Sequence, residues 1–187
     1  MPVSPWRLRH AAGLLARGGV IAHPTEAVYG LACDPLNAGA VLRLLDLKQR
    51  PVEKGLILVA SDMAQLRPFL APLSDALLAR VSASWPGPVT WLLPAREETP
   101  SWLRGTHASL AVRVSAHPLT RELCAAFGGA LVSTSANPAG RPPARTALRV
   151  RRYFDARLDA ILAGALGGQA RPTEIRDAAT GALIRPA

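Results

Sequence analysis

This sequence of 187 residues is poor in several features that mark common functional classes. Its two cysteines, Cys33 and Cys124, are too few for a disulfide framework and have no metal-ligand spacing. His10, His23, His107 and His117 are scattered along the chain, which argues against a zinc site built from His and Cys. No apolar run reaches the length needed to span a bilayer. The N-terminal stretch MPVSPWRLRHAAGLLARGG mixes charge with apolar residues at helical spacing and lacks the continuous apolar core of a signal peptide. A cytoplasmic protein without a membrane partner is the expectation. Neither GxGxxG after the first strand nor GxxxxGK[ST] occurs, which argues against a standard Rossmann or P-loop site. Any nucleotide must be held by other apparatus. Internal repeats and low-complexity tracts are also lacking.

Lysine is scarce. Of 22 basic side chains only Lys48 and Lys54 are lysines, and both fall in KQRPVEKGLILVA at 48–60. An ammonium is a compact point charge, whereas guanidinium is a wide planar fork, so the two are not equivalent against phosphate. Arg50 lies between the lysines, and Pro51 and Gly55 keep the segment from continuing as helix. A basic loop leading into a core strand can hold a polyanion, although a solvated connection fits a charge run equally well. The net charge of +9 and a pI near 11.1 point to nucleic acid, nucleotide or another phosphate-rich partner. With 49% hydrophobic residues and a mean hydropathy of +0.16, the chain can fill one core. A single domain over 1–187 is expected.

Strand and helix signals alternate. Ser4 and Pro5 read as cap and first turn of a helix ended by Gly18-Gly19. A short strand at 20–22 enters HPTEAVYGLACDP, 23–35, which is crowded with turn formers and polar side chains and carries no strand assignment. Asn37 caps a helix to Lys48, and a strand covers 56–60. Ser61 or Asp62 is expected to cap another helix, followed by one at 72–81. The remaining predicted elements are strands at 89–93, 109–114 and 130–133, helices at 117–127 and 144–156, and short strands at 159–163, 173–177 and 182–185. Residues 94–108 have loop composition. This order implies an α/β fold with helices packed on a mixed sheet.

Three polar segments adjoin predicted strands: HPTEAVYG (23–30), KQRPVEKG (48–55) and STSANPAG (133–140). Ligands in open α/β sheets collect at strand ends, so the three are candidates for one cleft. Short hydroxyls and an amide at 133–137 suit phosphate, ribose or carboxylate, or else bond to their own backbone. Thr25 and Glu26 can equally cap a turn, and Tyr29 can equally be a core aromatic with a bonded hydroxyl. Arg113 sits alone in an apolar strand and either faces solvent, the favoured reading, or grips a carboxylate. The helix at 144–156 places Arg145, Arg149 and Arg152 on one face, either solvated or an RNA contact.

Taken together, HPTEAVYGLACDP, KQR with KGLILVA, STSANPAG and TEIRDAATGALIRP resemble the bacterial threonylcarbamoyl-AMP synthases, the TsaC/YrdC group. The resemblance runs from about residue 8 to the end. The family's paired signature, K-x-R and S-x-N, falls on Lys48/Arg50 and Ser135/Asn137. The resemblance implies a twisted open sheet with a basic concave face. It also implies an enzyme that makes L-threonylcarbamoyl-adenylate and pyrophosphate from L-threonine, bicarbonate and ATP. A tRNA threonylcarbamoyl-transferase complex then carries the group to adenosine 37 of tRNAs reading ANN codons. By the same resemblance, ATP is met by Lys48, Arg50, Lys54, Ser135, Asn137 and Arg185, with Mg²⁺ held mainly by the phosphates and not by protein side chains. Thr25, Tyr29, Arg113 and Ser133 fall in the threonine pocket.

Longer family members have a further C-terminal domain, so the short single-domain form is expected. They also commonly carry a histidine and a serine where this chain has Ala60 and Pro143, and those contacts do not carry over. The implied chemistry needs no side-chain nucleophile, because the carbamate oxygen itself attacks the α-phosphorus. Positioning and charge neutralisation, assigned to Lys48 and Arg50, are the main tasks. A competing reading from another class is a non-catalytic RNA-binding or ribosome-maturation factor that docks tRNA or double-stranded RNA on its basic face.

Overall fold

The computed structural model describes residues 3–186. Among the described residues nine strands form one mixed sheet in the order β7-β1-β2-β6-β3-β5-β4-β8-β9. The strands are β1 (Ile21–Pro24), β2 (Tyr29–Cys33), β3 (Ile57–Ala60), β4 (Val89–Pro94), β5 (Ser109–Val114), β6 (Leu131–Ser135), β7 (Ala160–Ile161), β8 (Glu174–Asp177) and β9 (Leu183–Arg185). Three neighbouring pairs are parallel, namely β1/β7, β3/β5 and β4/β8, and the other five are antiparallel. The helices are α1 (Pro5–Ala16), α2 (Ala38–Lys48), α3 (Asp75–Ser82), α4 (Ser101–Arg104), α5 (Pro118–Phe127) and α6 (Ala147–Phe154).

The caps follow residue chemistry. Ser4, Asn37, Ser74 and Thr146 each accept a backbone N–H of the first turn, which supplies a partner that the helix itself lacks. His117 caps α5 in the same way through its ring nitrogen.

Three expectations are corrected. The stretch 23–35 holds a strand that was not expected: it completes a hairpin, in which 25–28 form the turn and β1 and β2 pair from Ile21↔Ala32 to Pro24↔Tyr29. Both strands are buried throughout, so the alternation that marks a half-exposed strand is invisible. No helix follows Asp62. Its carboxylate caps Gln65 N–H, and the chain makes only a 3-10 turn at Arg67–Phe69, where Pro68 contributes no N–H. Residues 94–108, expected as loop, hold the single turn α4.

The pleat separates the sheet's two faces. Leu31, Cys33, Leu58, Val112 and Val132 enter a core that includes Leu44 of α2 and Phe154 of α6. Ile21, Ala32, Val59 and Leu131 enter a smaller core under Leu15 of α1 and Leu123 of α5. Along β6 that second face reads Leu131, Ser133, Ser135, which is apolar beneath the helices and then polar beyond them. His23 on β1, Gly30 on β2 and Arg113 on β5 continue the same face. The uncovered part of that face is where a ligand can enter.

Candidate active site

A cleft of about 620 Å³ opens on this polar part of the sheet. It is lined by Thr25, Gly30, Lys48, Arg50, Lys54, Arg113, Ser133, Ser135, Asn137 and Arg185, together with Thr173 and Pro143. Three segments distant in sequence therefore meet at one place, as their positions beside strands require.

Lys48 ends α2 and is 5% exposed. Its ammonium donates to the carbonyls of Ser135 (2.5 Å) and Asn137 (3.0 Å), while Ala139 N–H donates back to the Lys48 carbonyl at 2.9 Å. The K-x-R loop and the S-x-N loop are thus joined through one lysine. Burial, with help from the Arg50 cation, pushes the Lys48 pKa down from the ordinary 10.5 to about 8.

Arg50 is half-buried rather than free in solvent, and its Nη2 donates to the carbonyls of Gly55 (2.9 Å) and Lys54 (3.3 Å). Its Nε is buried with no partner. Gly105 holds this loop from behind at φ +62°. A Cβ there would stand 2.2 Å from the Glu53 carbonyl oxygen, so only glycine permits the approach. Lys54 remains exposed at the rim. Asn137 donates through Nδ2 to the carbonyls of Pro138 (3.1 Å) and Arg141 (2.8 Å), and its Oδ1 is buried without a partner.

Arg113 overturns the solvent-facing reading, being 6% exposed. Its Nη2 pairs with Glu26 Oε2 at 3.2 Å, and its Nη1 donates to Thr173 Oγ1 at 2.7 Å. Ser115 Oγ and Ala116 N–H fix the other Glu26 oxygen at 2.7 and 3.2 Å. Burial works to raise the Glu26 carboxyl, but the Arg113 cation and the Ser115 hydroxyl outweigh it and hold the carboxyl below the ordinary carboxylate range. Arg113 Nε has no partner. The guanidinium is fixed on two sides and keeps donor capacity for an anion in the cleft. The ion pair was hidden in the sequence because Glu26 and Arg113 are far apart, and Thr173 stood out only as the first residue of TEIRDAATGALIRP, with no site role attached. Arg185 joins the site through Thr173, whose carbonyl accepts its Nη2 at 3.1 Å.

Two other expectations are corrected. Tyr29 does not line the cleft. It packs on the core face, and its hydroxyl donates to the Gly164 carbonyl at 2.8 Å and accepts Gly164 N–H at 3.1 Å. Arg145 is not on the basic helix but precedes the Thr146 cap, and it donates to the Ala170 carbonyl at 3.0 Å. Arg149 and Arg152 are exposed on α6, opposite the buried Val150 and Phe154, and none of the three arginines lines the cleft.

Fold and site together define an α/β protein with a polar cleft rich in cations and hydroxyls at one end of its sheet. The chain belongs to the Sua5/YciO/YrdC family, described as Telomere recombination, which matches residues 13–187. It is 58% identical over 181 residues to the threonylcarbamoyl-AMP synthase of Halorhodospira halophila, covering 97% of this chain and 95% of that one. It is equally 58% identical over 185 residues to the Pseudomonas aeruginosa protein of the same name, covering 99% of this chain and all of that one. Among solved structures, P. abyssi Sua5 complexed with L-threonine superposes with a TM-score of 0.89 at 29% identity, covering 95% of this chain and 52% of that longer one. Escherichia coli YciO shares the fold with a TM-score of 0.86 at 24% identity, covering 98% of this chain and 90% of that one.

Among the described residues no helix is long and apolar enough to cross a membrane.

Proposed function

We propose that the protein is an L-threonylcarbamoyl-adenylate synthase acting on L-threonine, bicarbonate and ATP, with pyrophosphate as leaving group. The observation that carries the reading is the meeting of Lys48, Arg50, Ser135 and Asn137 with Arg113, Thr25 and Ser133 in one cleft. Relatives 58% identical over nearly the whole chain bear the synthase name, and a relative of the same fold is complexed with L-threonine.

In this reading Arg113 holds the threonine carboxylate, with Glu26 and Thr173 keeping the guanidinium in place. Lys48, Arg50 and Lys54 face the triphosphate, and Ser135, Asn137 and Arg185 contact the nucleotide. Protonated bicarbonate loses water to give carbon dioxide, threonine's neutral amine adds to that carbon and gives up a proton to form the carbamate, and a carbamate oxygen attacks the α-phosphorus as its bond to the pyrophosphate oxygen breaks. Fixed cations stabilise the charge that builds on the departing pyrophosphate. Any Mg²⁺ is held mainly by phosphate oxygens. The reaction makes the enzyme a nucleotidyltransferase, working as one domain in the cytoplasm. Its product passes to a tRNA threonylcarbamoyl-transferase complex.

The test is pyrophosphate release from ATP, with threonine and bicarbonate each omitted in turn. Release that needs both supports the synthase. Release without threonine, or none at all, refutes it. Steeply salt-dependent RNA binding in place of turnover points instead to the binding-protein reading.

A further inference from the structure

The connection from β7 to β8 has no regular structure, yet it is fastened along its length. Residues 164–173 run past the turn that carries Thr25 and Glu26. Gly167 N–H donates to the Thr25 carbonyl and Gln169 N–H to the Glu26 carbonyl, each at 3.0 Å. The approach is close, since a Cβ on Gly167 would stand 2.9 Å from Glu26 Cα. A little further on, the same segment delivers Thr173, whose hydroxyl accepts Arg113 Nη1 at 2.7 Å. With that lone pair taken, the Thr173 hydrogen turns to the buried Thr90 Oγ1 at 3.2 Å. Glu26 and Thr173, the two side chains that fix Arg113, are therefore held by one strap.

The start of the strap is clipped by Tyr29, a buried residue that does not line the cleft. Its hydroxyl donates to the Gly164 carbonyl at 2.8 Å and accepts Gly164 N–H at 3.1 Å. One hydroxyl so satisfies both backbone groups of a residue that no helix or strand supports. His117 adds a second hold. Its Nδ1 accepts Thr120 N–H, so Nε2 carries the hydrogen and donates to the Ala165 carbonyl at 3.0 Å.

We propose that Tyr29 is a positioning residue for the amino-acid substrate: its paired bonds to Gly164 seat the 164–173 strap, and the seated strap keeps Glu26 and Thr173 against the Arg113 guanidinium. This rests on the threonine-pocket reading given above. Tyr29 acts without touching substrate. A guanidinium that has lost either partner no longer meets the carboxylate in a fixed orientation, so threonine binds the seated form. By linkage, threonine in turn draws the strap down onto the turn at Thr25 and Glu26.

The test compares Tyr29→Phe, which keeps the ring and removes the hydroxyl, with wild type in pyrophosphate release. The apparent affinity for threonine falls with the fraction of molecules whose strap is seated, and the expected result is a threonine KM raised about three- to tenfold. Saturating threonine reseats the strap, so kcat and the ATP KM measured under that condition stay at wild-type values. A merely structural tyrosine would lower kcat or raise both KM values together. Amide hydrogen exchange across 164–173, followed by mass spectrometry, is a second readout that needs no variant. Threonine without ATP is expected to slow this exchange in wild type, whereas threoninamide, which offers Arg113 no carboxylate, is not. If Tyr29→Phe does not fold, that comparison decides. An unchanged threonine KM, a fall in kcat at saturating threonine, equal rises for both substrates, or exchange across 164–173 that ignores threonine overturns the proposal. Wild-type enzyme that releases no pyrophosphate in response to threonine overturns the synthase reading instead, so the two failures are distinct.

Discussion

Replacing Lys48 with arginine is expected to change the pH dependence of the enzyme as well as its rate. The Lys48 ammonium is taken out of water and placed near Arg50, and its pKa falls from 10.5 to about 8. That difference corresponds to about 3 kcal/mol of preference for the neutral amine in the folded, ligand-free protein. The folded state then loses its proton first, so between about pH 8 and 10.5 the unfolded state binds more protons and this group's contribution to stability rises with pH. Activity runs the other way. A neutral amine no longer neutralises triphosphate, so kcat/KM for ATP is expected to fall above about pH 8 at saturating threonine and bicarbonate. Bound phosphates favour the ammonium, so the matching limb in kcat moves to higher pH. Lys48→Arg keeps a charge that does not titrate, and the limb disappears. The wider guanidinium cannot reproduce both short bonds to the Ser135 and Asn137 carbonyls, so the plateau rate also falls. Pyrophosphate release at constant ionic strength from pH 6.5 to 9.5 measures both effects. A limb near pH 8 that survives in Lys48→Arg refutes the assignment, as does a wild-type profile that stays flat.

Three further outcomes are expected. Arg50→Ala lowers turnover more than tenfold while the melting temperature holds, and a wild-type rate in folded mutant removes Arg50 from the site. Glu26→Ala leaves Arg113 buried and unpaired, at a cost of about 3–5 kcal/mol; calorimetry should show a clear drop in melting temperature, and none at all contradicts the ion pair. Serine should be a poor but detectable substrate, because one methyl group discriminates by only ~1–3 kcal/mol, whereas valine and threoninamide should fail in the same assay. Efficient use of valine means that the pocket does not bond the threonine hydroxyl.

Legibility differed between the parts of the molecule for physical reasons. A capped helix such as α2 could be read because Asn37 precedes periodic apolar residues. The hairpin that carries Thr25 could not, since burial on both faces erases the period of two. The cleft-lining segments were visible as polar stretches beside strands, and Lys48 stood out through the scarcity of lysine. Partnerships were not legible. Nothing local in the sequence joins Lys48 to the carbonyls at 135 and 137, Glu26 to Arg113, or Thr173 to either. Tyr29 was misplaced because neighbouring strand residues point to opposite faces, so Gly30 meets the cleft while Tyr29 meets the core.

The central claim is that carbon from bicarbonate becomes bonded both to threonine and, through oxygen, to the α-phosphorus of ATP. Mass spectrometry of the product formed with ¹³C-bicarbonate tests it most directly. The expected species is a threonylcarbamoyl-adenylate carrying one labelled carbon, formed in step with pyrophosphate. Products limited to ADP and phosphate, or AMP without a labelled carbamoyl carbon, contradict it.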